Sequence, residues 1–194
     1  MNNITTAYLG SIEYYRRLLR IGAAFDLSVP YTRQGGMNRC QIDSPDVALM
    51  LSVPVVKPHG RTPVGEILIS EHGNWRHQHW NALVSSYRQT PYFDYYEDDF
   101  RPFYTEHNWL RLVDFNNDLH MKIMELIGIP EFPDLRISGI PEISSSRDPQ
   151  IPNSPNMEFR PYYQVFAHKH GFLPNLSIID LLFNMGPESI YWLI

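Results

Sequence analysis

The chain has 194 residues, of which 43% are hydrophobic and 13% aromatic, enough to build a sizeable core and to exclude disorder throughout. Its net charge of −5 argues against nucleic acid as a partner, because phosphate neutralisation demands a basic stripe. No apolar run approaches the ~20 residues of a membrane-spanning helix. The start, Met1 to Thr6, lacks the basic and apolar regions of a signal peptide, and the lone Cys40 excludes an internal disulfide, so a cytoplasmic protein is expected.

In chain order, Ile4–Leu9 is rich in β-formers and reads as a strand. Ser11 follows as a helix N-cap, and Ile12, Tyr15, Leu18 and Leu19 then share one helical face that Arg16, Arg17 and Arg20 avoid. Ala24–Val29 reads as a second strand, which makes the opening a β-α-β pattern. Pro30 and Gly35-Gly36 mark a loop. Asn38–Ile42 and Ala48–Val56 read as a strand pair turned by Pro45, with Val64–Ile69 a further strand.

The middle turns helical, over about Asn74–Arg88, Tyr92–Tyr104 and Asn108–Ile127, the last stopping at Gly128 with Pro130 beyond. Residues 130–161 carry seven prolines and the run Ser144-Ser145-Ser146, which forbids long regular elements. A short helix over Leu176–Met185 follows. Its apolar stripe and the ending Tyr191-Trp192-Leu193-Ile194 place this segment in the core, docked on the domain or on a second copy across a dimer interface. The expectation is one α+β domain over 1–194: a mixed sheet from the N-terminal half, a helical C-terminal half, and a Pro/Ser-rich loop at about 130–161. There is no internal repeat.

Several residues have the chemistry of a site. Asn116 and His120, one turn apart, lie on the apolar stripe Trp109, Leu112, Val113, Leu119, Ile123 and Ile127 of the long helix. They either satisfy neighbouring backbone or line a pocket, since a buried polar group needs a partner. His79 falls one turn after Trp75 at the margin of an apolar face, where an imidazole is a general-base candidate or a surface side chain. His77 lies ~200° around the same helix, so the two share no metal. His168 and His170, if extended, point the same way, but no third ligand has recognisable spacing and no metal site is expected. Arg39 is suited to gripping a phosphate or carboxylate, or to a surface ion pair. Cys40 has no assignable triad partner and reads as a small buried hydrophobe. Gly35-Gly36 lacks the strand and helix of a phosphate loop, and no cofactor is indicated.

Five blocks, in this order and spacing, resemble the WbqC-like family in its longer-tailed, Bacteroidetes-type form. They are Tyr8 to Tyr15; Asn38-Arg39-Cys40-Gln41-Ile42 with Leu51 to Val55; Trp75, His79, Tyr87, Pro91, Tyr92 and Phe93; Phe115-Asn116 within Leu112 to Leu126; and Tyr163 to Phe166 with Gly171-Phe172 and Asn175 to Asn184. The opening lacks the proline-rich start of many members, and no ligand role is carried over to Tyr8. The resemblance implies a place in surface-polysaccharide (O-antigen-type) biosynthesis and transfer of an aminoacyl group such as glycine onto a sugar. The alternative it leaves is a non-catalytic binding or assembly protein of the same pathway. In a transferase, His79 would be the base and Asn116 a polarising donor. Arg39, Trp75, Tyr92 and His120 would hold a small-molecule or nucleotide-sugar ligand, with Trp75 and Tyr92 as a stacking wall. No adenylate-forming or phosphopantetheine motif is present, so the activated donor would come from elsewhere.

Overall fold

A computed structural model of the chain describes residues 4–21, 25–106, 108–129 and 159–194. Ser11 accepts a hydrogen bond from the Tyr14 N–H and opens α1, Ile12–Ile21, whose Ile12, Tyr15 and Leu18 are buried. Strands β1, Arg39–Ile42, and β2, Leu49–Ser52, pair antiparallel with Arg39 opposite Ser52. Then come α2, Trp75–Tyr87, α3, Phe93–Thr105, and α4, Leu112–Ile127. The C-terminal segment adds α5, Ala167–His170, α6, Ile178–Met185, and α7, Ile190–Leu193.

The α+β class is as expected, with a two-stranded sheet in place of a larger mixed one. The expected strand Ile4–Leu9 contributes one parallel bridge, Ile4 to Phe25, and the expected strand over 24–29 meets it only there; Ala24 lies outside the described residues. In place of a strand over Val64–Ile69, Pro63 leads into a single 3-10 turn, Val64–Glu66, after which Leu68 and Ile69 make isolated bridges to Arg111 and Val55. That pairing also delays α4. The Ile69 N–H bonds the Leu110 carbonyl and the Leu112 N–H bonds the Ile67 carbonyl, so residues 108–111 stay outside the helix, which begins at Leu112. At its other end Gly128 adopts φ +89°, and the Ile129 N–H caps the Met124 carbonyl. The Pro/Ser-rich loop falls almost wholly outside the described residues.

The C-terminal segment lies in the core. Ile178, Ile179, Leu181, Leu182 and Phe183 are fully buried, and Phe183 packs among Tyr87, Phe93 and Phe100 at ring distances of 5.1, 5.2 and 5.3 Å. Backbone bonds tie it to the N-terminal half: Ser177 N–H to the Gln41 carbonyl, Ile178 N–H to Gly10, and Ile12 N–H to Leu176. Burying α6 on every side suits its mostly apolar sequence, in which Asp180 and Asn184 are the polar members.

Candidate functional site around Tyr8 and His79

The buried stretch from Thr5 to Gly10 runs between α2 and α4. Its Leu9 holds φ +42°, a left-handed conformation that costs a bulky side chain ~1–3 kcal/mol and persists only where its surroundings enforce it. Beside this strained residue, the Tyr8 hydroxyl lies 2.9 Å from His79 Nδ1 and 2.9 Å from the Tyr104 hydroxyl. Trp75 and His79, one turn apart on α2, meet edge to face at 5.1 Å. Phe115 stacks beneath Tyr8 at 5.8 Å and touches Trp75 at 5.7 Å.

Burial drives the His79 pKa down to about 4, against the opposite pull of a hydrogen bond to the Ser52 backbone. The ring is therefore neutral at ordinary pH and carries one proton. With that proton donated to the Ser52 carbonyl, Nδ1 is an acceptor and the Tyr8 O–H donates to it. Tyr104 in turn donates to Tyr8. Burial raises both phenols, so both keep their protons.

Asn116 donates to Thr6 Oγ1 at 3.0 Å and to the Met37 carbonyl at 2.8 Å, which uses both of its N–H bonds. His120, one turn on, places Nδ1 3.3 Å from the Tyr15 hydroxyl, its ring between Tyr15 and Phe25. The three polar residues thus engage one N-terminal segment at successive points: Asn116 at Thr6, His79 at Tyr8, His120 at Tyr15. Two hydrogen-bonding groups here have no partner among the described residues, the Trp75 indole Nε1–H and Asn116 Oδ1. Buried groups without a partner are uncommon in a folded protein and mark places where a ligand or a water can be met.

Of the other candidates, Arg39 stands opposite Ser52 in the β1–β2 pair and Cys40 bears on the Tyr8 and Tyr104 phenols, while Tyr92 and His77 have other neighbours. Arg39 is half-buried, its Nε has no hydrogen-bond partner among the described residues, and its charge bears on the Tyr31 phenol. Tyr92 stands at the start of α3, donates its N–H to the Phe183 carbonyl, stacks on Tyr96 and lies against Gly186. Cys40 is buried and its thiol is pushed up by that burial, the state of a packing residue and not of a nucleophile. His77 is exposed beside Asn81.

A second polar cluster escaped the sequence reading. Asp43, just past β1, and Asp180 on α6 are both fully buried. Asp180 accepts from the Tyr162 hydroxyl at 2.5 Å and from Gln164 Nε2 at 3.2 Å, with the Tyr87 hydroxyl also against it. Its pKa is pushed up to about 7, chiefly by burial; these donors oppose the rise and the Asp43 charge adds to it. Asp43 is raised by burial as well, against the pull of His170, whose Nε2 lies 3.1 Å from Oδ1. The segment carrying His168 and His170 is a helical turn and not extended, so the two diverge: His168 Nδ1 turns to the Val165 carbonyl, His170 to Asp43. Among the described residues no group of three or more His, Cys, Asp or Glu could hold a metal ion, and no helix is long and apolar enough to cross a membrane. The signal for Asp180 was its place beside an apolar stripe; Asp43, in a turn-like Asp-Ser-Pro, offered none.

An α+β domain with a buried chain of hydrogen bonds from Tyr104 through Tyr8 to His79 is the class these features define. The chain belongs to the WbqC-like protein family, whose model matches residues 7–151, a span holding Tyr8, His79, Tyr104, Asn116 and His120. It is also similar to the uncharacterized protein Rv1507c of Mycobacterium tuberculosis, 27% identical over 193 residues, with 82% of this chain and 81% of that protein covered. No solved structure matches it.

Proposed function

We propose that the protein is a cytoplasmic transferase of surface-polysaccharide biosynthesis that moves an aminoacyl or related acyl group onto a saccharide, with His79 as general base. The observation that supports the reading is the neutral, buried His79 imidazole held against Trp75, whose indole Nε1–H has no hydrogen-bond partner among the described residues. Acyl transfer needs a base that is unprotonated at working pH. An acceptor amine or hydroxyl taking the place of the Tyr8 O–H gives its proton to Nδ1 and attacks the acyl carbonyl. The tetrahedral oxyanion accepts hydrogen bonds from the Tyr8 and Tyr104 hydroxyls, then collapses, and the leaving group recovers the proton from His79. Asn116, its N–H bonds already spent, serves by holding Thr6 and the Met37 turn in place. His79 is 5% exposed, so the acceptor enters only when the stretch around the strained Leu9 shifts.

That same closure favours a second reading, a non-catalytic binding or assembly protein of the pathway. Native mass spectrometry of protein purified without refolding separates the two. A bound aminoacyl or nucleotide-sugar species is the expected result. A protein partner with no small molecule is the result that favours assembly.

A further inference from the structure

A recess of about 200 Å³ lies between α1 and the C-terminal segment, and none of the residues named from sequence as a site lines it. Its walls bring together Arg16, Arg160, Tyr162, Phe172, Asn175 and Trp192. We propose that it binds a monosaccharide phosphate, the sugar ring against the aromatic side chains and the phosphate between the two arginines. The proposal names a ligand for the transferase reading and rests on that reading for its biological sense, though not for its test.

The floor is aromatic. The Tyr162 ring stands nearly perpendicular to Phe172 at 5.3 Å and to Trp192 at 6.4 Å, while its hydroxyl is committed to Asp180 on the far side. Tyr162 therefore shows the recess an apolar ring, which suits the C–H face of a hexose. The Arg160 guanidinium lies 4.7 Å over the Trp192 ring. Stacking fixes its plane and leaves its edge, a fork of N–H donors, to meet a phosphate bidentately. Arg16 carries a buried Nε with no hydrogen-bond partner among the described residues. Among the described residues its acidic neighbour is Glu13, at 3.8 Å and shared with Arg17, also at 3.8 Å. Asn175 Oδ1 accepts the Glu13 N–H, which orients the amide so that its NH₂ is the end left for a sugar hydroxyl. The volume falls below the ~300 Å³ at which pockets for drug-sized ligands begin, so the recess takes one ring and its charged group, not a polymer chain.

The test follows the Trp192 indole signal in ¹H–¹⁵N NMR spectra of the full chain, assigned by its loss in Trp192→Phe. Glucose 1-phosphate, inorganic phosphate and glucose are titrated separately. The expected result is a saturable shift with glucose 1-phosphate, a weaker one with phosphate and a much weaker one with glucose. Arg160→Gln and Arg16→Gln should each weaken glucose 1-phosphate binding by at least about tenfold, the fold-change of a lost charged hydrogen bond, with the remaining spectrum unchanged. No saturable shift, equal response to glucose and its phosphate, or undiminished binding in the double variant would each overturn the proposal. Any of these leaves the His79 reading standing, because that reading is decided by acyl transfer and not by this recess.

Discussion

The hydroxyl of Tyr8 and the Nδ1 of His79, 71 positions apart in the chain, lie 2.9 Å from each other at the centre of the domain. The bond ties the N-terminal segment to α2, and the Ser52 carbonyl, by taking the ring proton, makes Nδ1 its acceptor.

Replacing Tyr8 with Phe keeps the ring on Phe115 and removes the hydroxyl, leaving a buried Nδ1 acceptor and the Tyr104 donor without this partner. The expected cost is ~1–3 kcal/mol, read by urea denaturation. In a double-mutant cycle with His79→Gln the two losses should be strongly non-additive. Additive losses would mean that the two side chains do not interact.

Opposing pH dependences are expected from His79 and Asp180. Burial lowers the His79 pKa from 6.5 to about 4, so its contribution to stability is complete above about 6.5 and is lost as pH falls towards 4. Burial raises Asp180 from 3.8 to about 7, so its contribution is complete below about 4 and is lost as pH rises to 7. Asp43, also raised, acts in the same direction as Asp180. Across pH 4 to 7 the effects offset each other in the native chain. His79→Gln should therefore make stability fall more steeply with rising pH over this window, and Asp180→Asn should tilt the profile the other way. Denaturation midpoints measured at a series of pH values check both; profiles parallel to the native chain would contradict them.

The long-range character of these contacts explains what could be read from sequence. Helix α4 announced itself through its apolar stripe, and Asn116 and His120 stood out because they interrupt it. The strand Ile4–Leu9 did not form because its β-formers are buried between helices, with only Ile4 finding a bridge partner. Val64–Ile69 failed for a local reason, Pro63 and Gly65 favouring a tight turn over an extended run. Nothing near Tyr8 in the sequence points to His79 or Tyr104, and nothing near Asp43 points to Asp180. Those pairings belong to tertiary structure alone.

Gly186 and Gly60 provide a matched pair. Both hold positive φ, +56° and +59°, but a Cβ at Gly186 would run into the Tyr92 ring, whereas at Gly60 it meets open space. Gly60→Ala should cost about 1 kcal/mol for the backbone alone. Gly186→Ala should add an overpacking term of ~1–3 kcal/mol. Equal thermal shifts for the two variants would show that Tyr92 does not pack on this turn.

Cys40 should stay unreactive in the folded protein. It is the chain's one thiol, buried and held protonated. A disulfide reagent should modify it only at the rate at which the domain opens, and at once in denaturant. Rapid labelling of the native protein would place Cys40 at an accessible surface.

The transferase reading is tested most directly by incubating the purified protein with the small-molecule fraction of its source cells and following saccharide masses without targeting. The native chain should generate a saccharide whose mass has grown by an aminoacyl or acyl group, and His79→Gln, folded by circular dichroism, should not. Identical product profiles from the two proteins, or no new saccharide with either, would contradict it.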